Sequence, residues 1–151
     1  MSRPVELLPV PNPTTLSHKN REARMDYGIS KTVSLSYERA VEKVTEELKK
    51  EGFGVLTTID VKATLKQKLG VDFTNYVILG ACNPPFAHKA LLAEEQIGLL
   101  LPCNVVVYEK EGKTVVAAFN PLVMTKILDN PEMGQMAEEV RVRLARAVQA
   151  V

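Results

Sequence analysis

The apolar positions of this 151-residue chain recur with two periods. Tyr37, Val41, Val44 and Leu48 fall three or four apart, opposite Glu42, Lys43, Glu46, Glu47, Lys49 and Lys50, which is the stripe of an amphipathic helix. Ser36 stands at its N-cap position and Gly52 where a left-handed C-terminal residue belongs, so the spacing predicts a helix from Tyr37 to just before that glycine. Runs at 28–35, 53–59, 75–81, 104–109 and 113–119 have the length and side chains of strands. The last two, joined by Lys110-Glu111-Gly112, predict an antiparallel hairpin.

Shorter helical patterns fill the intervals. Asp60 is placed to cap a helix in which Val61, Leu65 and Leu69 form the inner stripe, ending at Gly70. Pro85 suits the first position of a helix over 85–95, with Ala87, Leu91 and Leu92 inward. Glu94 and Glu95 then sit at its negative end, where a carboxylate needs a compensating partner. Asn120-Pro121 opens a short helix to Leu128, and Asp129-Asn130-Pro131 breaks it. A last helix over 132–150 carries Met133, Met136, Val140, Leu144 and Val148 on one face; these methionines read as packing or interface residues, not as metal ligands. Strand and helix in alternation, then a hairpin, then helices, predict an α/β (α+β) fold, a two-layer sandwich with a mixed sheet of about five strands.

Before these elements, residues 1–26 contain Pro4, Pro9, Pro11 and Pro13, which oppose both helix and ladder pairing. An extended proline-rich arm is expected there, ahead of a single α/β domain over 27–151. Its Val5, Leu7, Leu8 and Val10 offer apolar contacts to a neighbour or to the domain itself, while His18, beside Lys19 and Arg21, reads as solvated. Met25 offers a second candidate start, between which and Met1 the sequence does not choose.

Charge narrows the function classes. Nineteen basic residues against eighteen acidic ones give a net charge of +1, with no basic block and few aromatics, so a nucleic-acid partner is not expected. No apolar run has the length of a signal-peptide core or a membrane helix, and 97–101 is far too short to span. A cytoplasmic protein without a membrane partner is expected, its two cysteines reduced. Gly52-Phe53-Gly54 is not a phosphate loop, because a third glycine is missing and the pair precedes its strand. Lys62, Lys66 and Lys68 read as solubilising charges in preference to an anion grip.

The chemistry concentrates in one window. Gly80 to Asn104 holds both cysteines, one of two histidines and three of nine prolines in 25 residues. Here a strand runs into a proline-opened helix, and Cys82 stands before the helix start, where unpaired N–H groups favour a thiolate or an anion. Pro102-Cys103-Asn104 begins a second strand. If the strands are neighbours, the turns face one crevice, with Cys82, Asn83, His88, Cys103 and Asn104 as ligand-binding candidates.

Gly52-Phe-Gly-Val55, Leu79-Gly-Ala-Cys-Asn-Pro84, His88, Gly98-Leu-Leu-Leu-Pro-Cys-Asn-Val105 and Tyr108-Glu109 together resemble the domain-of-unknown-function 302 family over about residues 27–151. The resemblance implies a small α/β domain that forms a homodimer, and it carries no catalytic residue over to Cys82, His88 or Cys103.

Three functions fit these residues. One is a binding or sensing module for a small ligand, anionic if it meets the helix start. Another is a thiol enzyme with Cys82 as nucleophile and His88 or Glu94 as proton acceptor, or its metal-dependent variant, although Cys-x5-His-x14-Cys matches no usual zinc spacing and no metal site is expected. The third is an interaction domain in which both cysteines are inert, buried packing groups. Neither a cofactor nor a reaction is specified.

Overall fold

The computed structural model describes residues 26–151. The readings on the proline-rich arm, His18 and Met25 lie outside the described residues.

Strand β1 (Gly28–Val33) leads into helix α1 (Tyr37–Lys50), whose N-cap Ser36 accepts a hydrogen bond from the Arg39 N–H at 3.3 Å. Ala40, Val44 and Leu48 are fully buried, and the chain leaves the helix through Gly52 at φ 85°, which a side chain would strain. On the rim of α1, Lys50 at 2.7 Å and Lys43 at 3.0 Å hold the Glu47 carboxyl below its ordinary pKa.

Strand β2 (Gly54–Asp60) passes into α2 (Val61–Leu69), where the Asp60 carboxylate accepts from the Ala63 N–H at 2.9 Å. Then come β3 (Tyr76–Cys82), α3 (Pro84–Ala93), a 3-10 segment (Glu95–Leu100) and the hairpin of β4 (Cys103–Lys110) and β5 (Lys113–Phe119). A 3-10 turn (Pro121–Val123), the short α4 (Met124–Ile127) and the long α5 (Pro131–Gln149) complete the order.

The strands lie in the order β1-β5-β4-β3-β2. Alternating strands and helices predict a mixed sheet, but all four pairings are antiparallel. The reason is where the helices deliver the chain: α1 carries it from one edge of the sheet to the other, and α2 joins two adjacent strands by reversing direction. A parallel neighbour requires a crossover that returns to the starting end; α1 makes such a return, so β1 and β2 run in the same direction, but they stand at opposite edges of the sheet and no two adjacent strands are joined that way.

Helices α1 and α5 cover one face. Val77, Leu79 and Ala81 of β3 and Cys103, Val105 and Val107 of β4 meet Val44 and Leu48 from α1 and Val140, Leu144 and Val148 from α5. Lys31 ties β1 to the end of α5, donating from Nζ to the backbone oxygens of Gln149 at 2.8 Å and Val151 at 2.7 Å. On the opposite face, register places Ile59, Ile78, Val106, Ala117 and Ser30 in one row across five strands. Ile59 remains 47% exposed, and Tyr76 and Tyr108 stack beside that row at 5.2 Å.

Two predicted stripes move. In α2, Val61 and Leu65 are only half-buried and Leu69 is exposed, because the helix packs on the edge pair β2 and β3 and nothing closes over it. In α3, Leu91 and Leu92 are exposed and Ala90 is the buried position. That helix begins at Pro84, and its inner stripe runs through Phe86, Ala90 and Ala93. Glu94 finds its compensating partner in Asn130, whose Nδ2 donates to Oε1 at 3.3 Å.

Candidate functional site

The β3–α3 turn and the start of β4 are brought together by strand pairing. Ala81 lies opposite Cys103, and Gly80 opposite Asn104, in the antiparallel register of β3 and β4. Gly80 is required by this approach: a Cβ there would overlap Thr57 Oγ1 and stand 2.9 Å from Pro102 Cγ. The Leu101–Pro102 peptide that enters β4 is cis.

Cys82, Asn83, Pro102 and Cys103 together wall one end of a cavity of about 400 Å³. Phe53, Thr57 and Leu56 close it from the β2 side, and Phe86, Ala90, Leu91 and Ile97 from α3 and the segment after it. The remaining wall comes from the C-terminal third of the chain: Pro121, Met124, Met133, Met136, Ala137 and Val140. No charged side chain is among the described residues that line it.

Electrostatics separate the two sulfurs. Cys103 is buried, and burial, with a smaller contribution from nearby Cys82, pushes its thiol up to about 11, so it is protonated at neutral pH. Cys82 is partly exposed, and both cysteines are free thiols.

The helix start in front of Cys82 offers few donors. Pro84 and Pro85 occupy the first two positions of α3 and have no N–H, and Asn83 makes no side-chain cap. Ala87 already donates to the Asn83 carbonyl at 2.9 Å, which leaves the Phe86 N–H as the free donor of that turn. Asn83 itself is 7% exposed, and its carboxamide has no hydrogen-bond partner among the described residues; its Nδ2 lies over Gly52, 3.0 Å from where a Cβ would stand. Behind it Arg143 stacks its guanidinium on the Phe86 ring, 5.4 Å from the centroid, and donates to the Glu51 carbonyl at 3.3 Å.

The structure thus brings Cys82, Asn83 and Cys103 to one cavity and leaves three other candidates outside it. His88 is exposed and does not line the cavity. Asn104 is exposed because β4 turns it to the face opposite Cys103. Glu94 follows α3 at its C-terminus, and a ten-residue helix, about 15 Å long, separates it from Cys82. Among the described residues no group of three His, Cys, Asp or Glu side chains is placed to hold a metal ion. The sequence window missed the methionine wall, although Met124, Met133 and Met136 are three of five methionines in the chain; that clustering was the available signal. The Lys62, Lys66 and Lys68 group lies on the exposed side of α2, with Lys66 paired to Asp72 at 3.0 Å.

The family model described as "Domain of unknown function DUF302" matches residues 29–151. The chain is also similar to the crystal structure of an uncharacterized conserved DUF302 protein from Bacillus stearothermophilus. The two are 34% identical, with a TM-score of 0.77, over 82% of this chain and 97% of that one. No curated protein matches the chain.

Proposed function

Since the chain belongs to the DUF302 family, we propose that it is a small-ligand-binding or sensing domain whose site is the cavity between the Cys-Asn-Pro and Pro-Cys-Asn turns. One observation carries this: turns twenty residues apart in sequence enclose, with Met133 and Met136 of α5, a single hollow of about 400 Å³, within the size range of small-molecule pockets. Cys82, Asn83 and Cys103 are the proposed contact residues; Asn104 and His88 lie outside the wall and are assigned at most to its surroundings.

A thiol enzyme with Cys82 as nucleophile is disfavoured because neither His88 nor Glu94, its candidate proton acceptors, lines the cavity, and its metal-dependent variant because burial holds the Cys103 thiol protonated. The domain is proposed to start near residue 27, after the arm, and to act as a homodimer. The apolar row through exposed Ile59 and half-buried Ile78, Val106 and Ala117 supports self-association. No helix among the described residues is long and apolar enough to cross a membrane, and two free thiols fit a reducing, cytoplasmic compartment.

The test is a fragment screen followed by amide NMR of the full chain. Saturable binding that shifts the amides of Cys82, Asn83 and Cys103 is expected. Fragments binding only elsewhere would refute the site, and a monomer by light scattering at micromolar concentration would refute the dimer.

A further inference from the structure

Resting on that site, we infer that its ligand is an uncharged amphiphile: an apolar chain or ring carrying one neutral hydrogen-bonding head, such as a hydroxyl or an amide, which the Asn83 carboxamide reads.

Two independent features lead there. The wall is mostly aliphatic, aromatic and thioether, its polar side chains are the Thr57 hydroxyl, the Asn83 carboxamide and two thiols, and no charge lies among the described residues that line it, so an ion entering it would lose hydration with no opposite charge to replace it. The positive helix start that would otherwise receive an anion has lost two N–H donors to Pro84 and Pro85. An apolar ligand meets no such cost, since each buried methylene is worth about 0.8 kcal/mol. Met124, Met133 and Met136 supply flexible, polarizable surface that adjusts to chains of differing shape.

Asn83 fixes the head. It is the one carboxamide in the wall and is more than nine-tenths buried, yet its amide neither caps α3 nor bonds any described residue. No sealed side-chain nitrogen or oxygen is left unpaired among the described residues, so its polar atoms are open to solvent at the cavity wall, and a ligand that displaces water from them must replace those hydrogen bonds. A bound hydroxyl or amide does so, because the carboxamide both donates and accepts. A pure hydrocarbon leaves it unsatisfied, and a carboxylate or phosphate brings a charge the cavity does not balance. Arg143, which like Asn83 lies beside Gly52, is already engaged by Phe86, by the Glu51 carbonyl and by Glu139.

The experiment titrates nitrogen-15-labelled full-length protein with n-butanol, n-hexanol and n-octanol, and separately with inorganic phosphate, succinate and octanoate. The expected result is saturable shifts at Cys82, Asn83 and Cys103 for the alcohols, with affinity rising about fourfold per methylene until the cavity is full, and weaker or no binding for the three anions. Asn83→Leu should weaken octanol about three- to tenfold while leaving butylbenzene binding unchanged or tighter. Anions shifting those amides where alcohols do not would overturn the ligand class and leave the site standing. If neither series shifts them, the site assignment itself falls. An octanol affinity unaltered by Asn83→Leu, in a variant whose spectrum shows it folded, removes the role given to the amide.

Discussion

Replacing Gly80 by alanine tests how closely the two turns are pressed together. A Cβ at this position points at Thr57 and Pro102, overlapping Thr57 Oγ1 and standing 2.9 Å from Pro102 Cγ. Both contacts arise from groups close to the backbone: Oγ1 is attached directly to Cβ, and Cγ belongs to a closed ring. Neither can retreat as the end of a lysine would. Overpacking of this kind costs about 1–3 kcal/mol, set against a gain of about 0.5–1 kcal/mol from replacing a strand glycine. The expected net loss is about 1–2 kcal/mol, which lowers the melting temperature by about 2–8 °C in a domain of this size. Urea unfolding followed by circular dichroism measures it directly. Thr57→Ala removes Oγ1 and leaves a Cβ 3.5 Å from the new methyl, an ordinary contact, so the double variant should recover about 1 kcal/mol relative to the sum of the single changes. A Gly80→Ala protein as stable as its parent, or a cycle showing no coupling with Thr57, would refute the reasoning.

Other predictions follow from groups already described. In a Cys82→Ser variant, Cys103 should resist Ellman's reagent at pH 8 in native protein and react fully in denaturant, because burial keeps its thiol protonated. The same shift makes stability fall with alkaline pH: the unfolded thiol ionises from 9.0 while the folded one holds its proton to about 11, so stability present below pH 9 declines through that window. The loss is bounded by about 2–3 kcal/mol, and denaturant melts at pH 8, 10 and 11 with a Cys103→Ala control measure it. Asp60→Ala removes the cap on α2 and should cost about 1 kcal/mol, with hydrogen exchange accelerating in 61–69 before the rest of the chain. Ala137→Phe should fill the cavity and abolish small-molecule binding while the far sheet face keeps its amide shifts; undiminished binding would place the ligand elsewhere.

Much of the fold was legible because local signals and burial agreed. The helix over Tyr37–Lys50 has its cap, its stripe and its glycine in register, and the β4–β5 hairpin has its turn. Strand order was not legible, since nothing in the run at 28–35 says that it pairs with a strand some ninety positions later. The stripe of α2 misled because Leu69 has helical spacing without a partner surface. At the site, both cysteines and Asn83 could be found from their crowding with prolines. Most of the wall could not, because Met133, Met136, Ala137 and Val140 look like any amphipathic helix until α5 is laid across the turns. His88 and Asn104 were drawn in by sequence proximity alone. One residue along a helix or strand decides which way a side chain faces.

The order of the sheet has a kinetic consequence. Strands β2, β3, β4 and β5 are each adjacent to the next in the sequence and can zip up by successive local reversals, whereas β1 must wait for β5, with Gly28 meeting Phe119. Closing so long a loop is entropically unfavourable until something rewards it. Assembly is therefore expected to end with the first strand clasping a four-stranded meander that already exists, and β1 should be the first strand to peel away when the protein is pulled from its amino-terminal side.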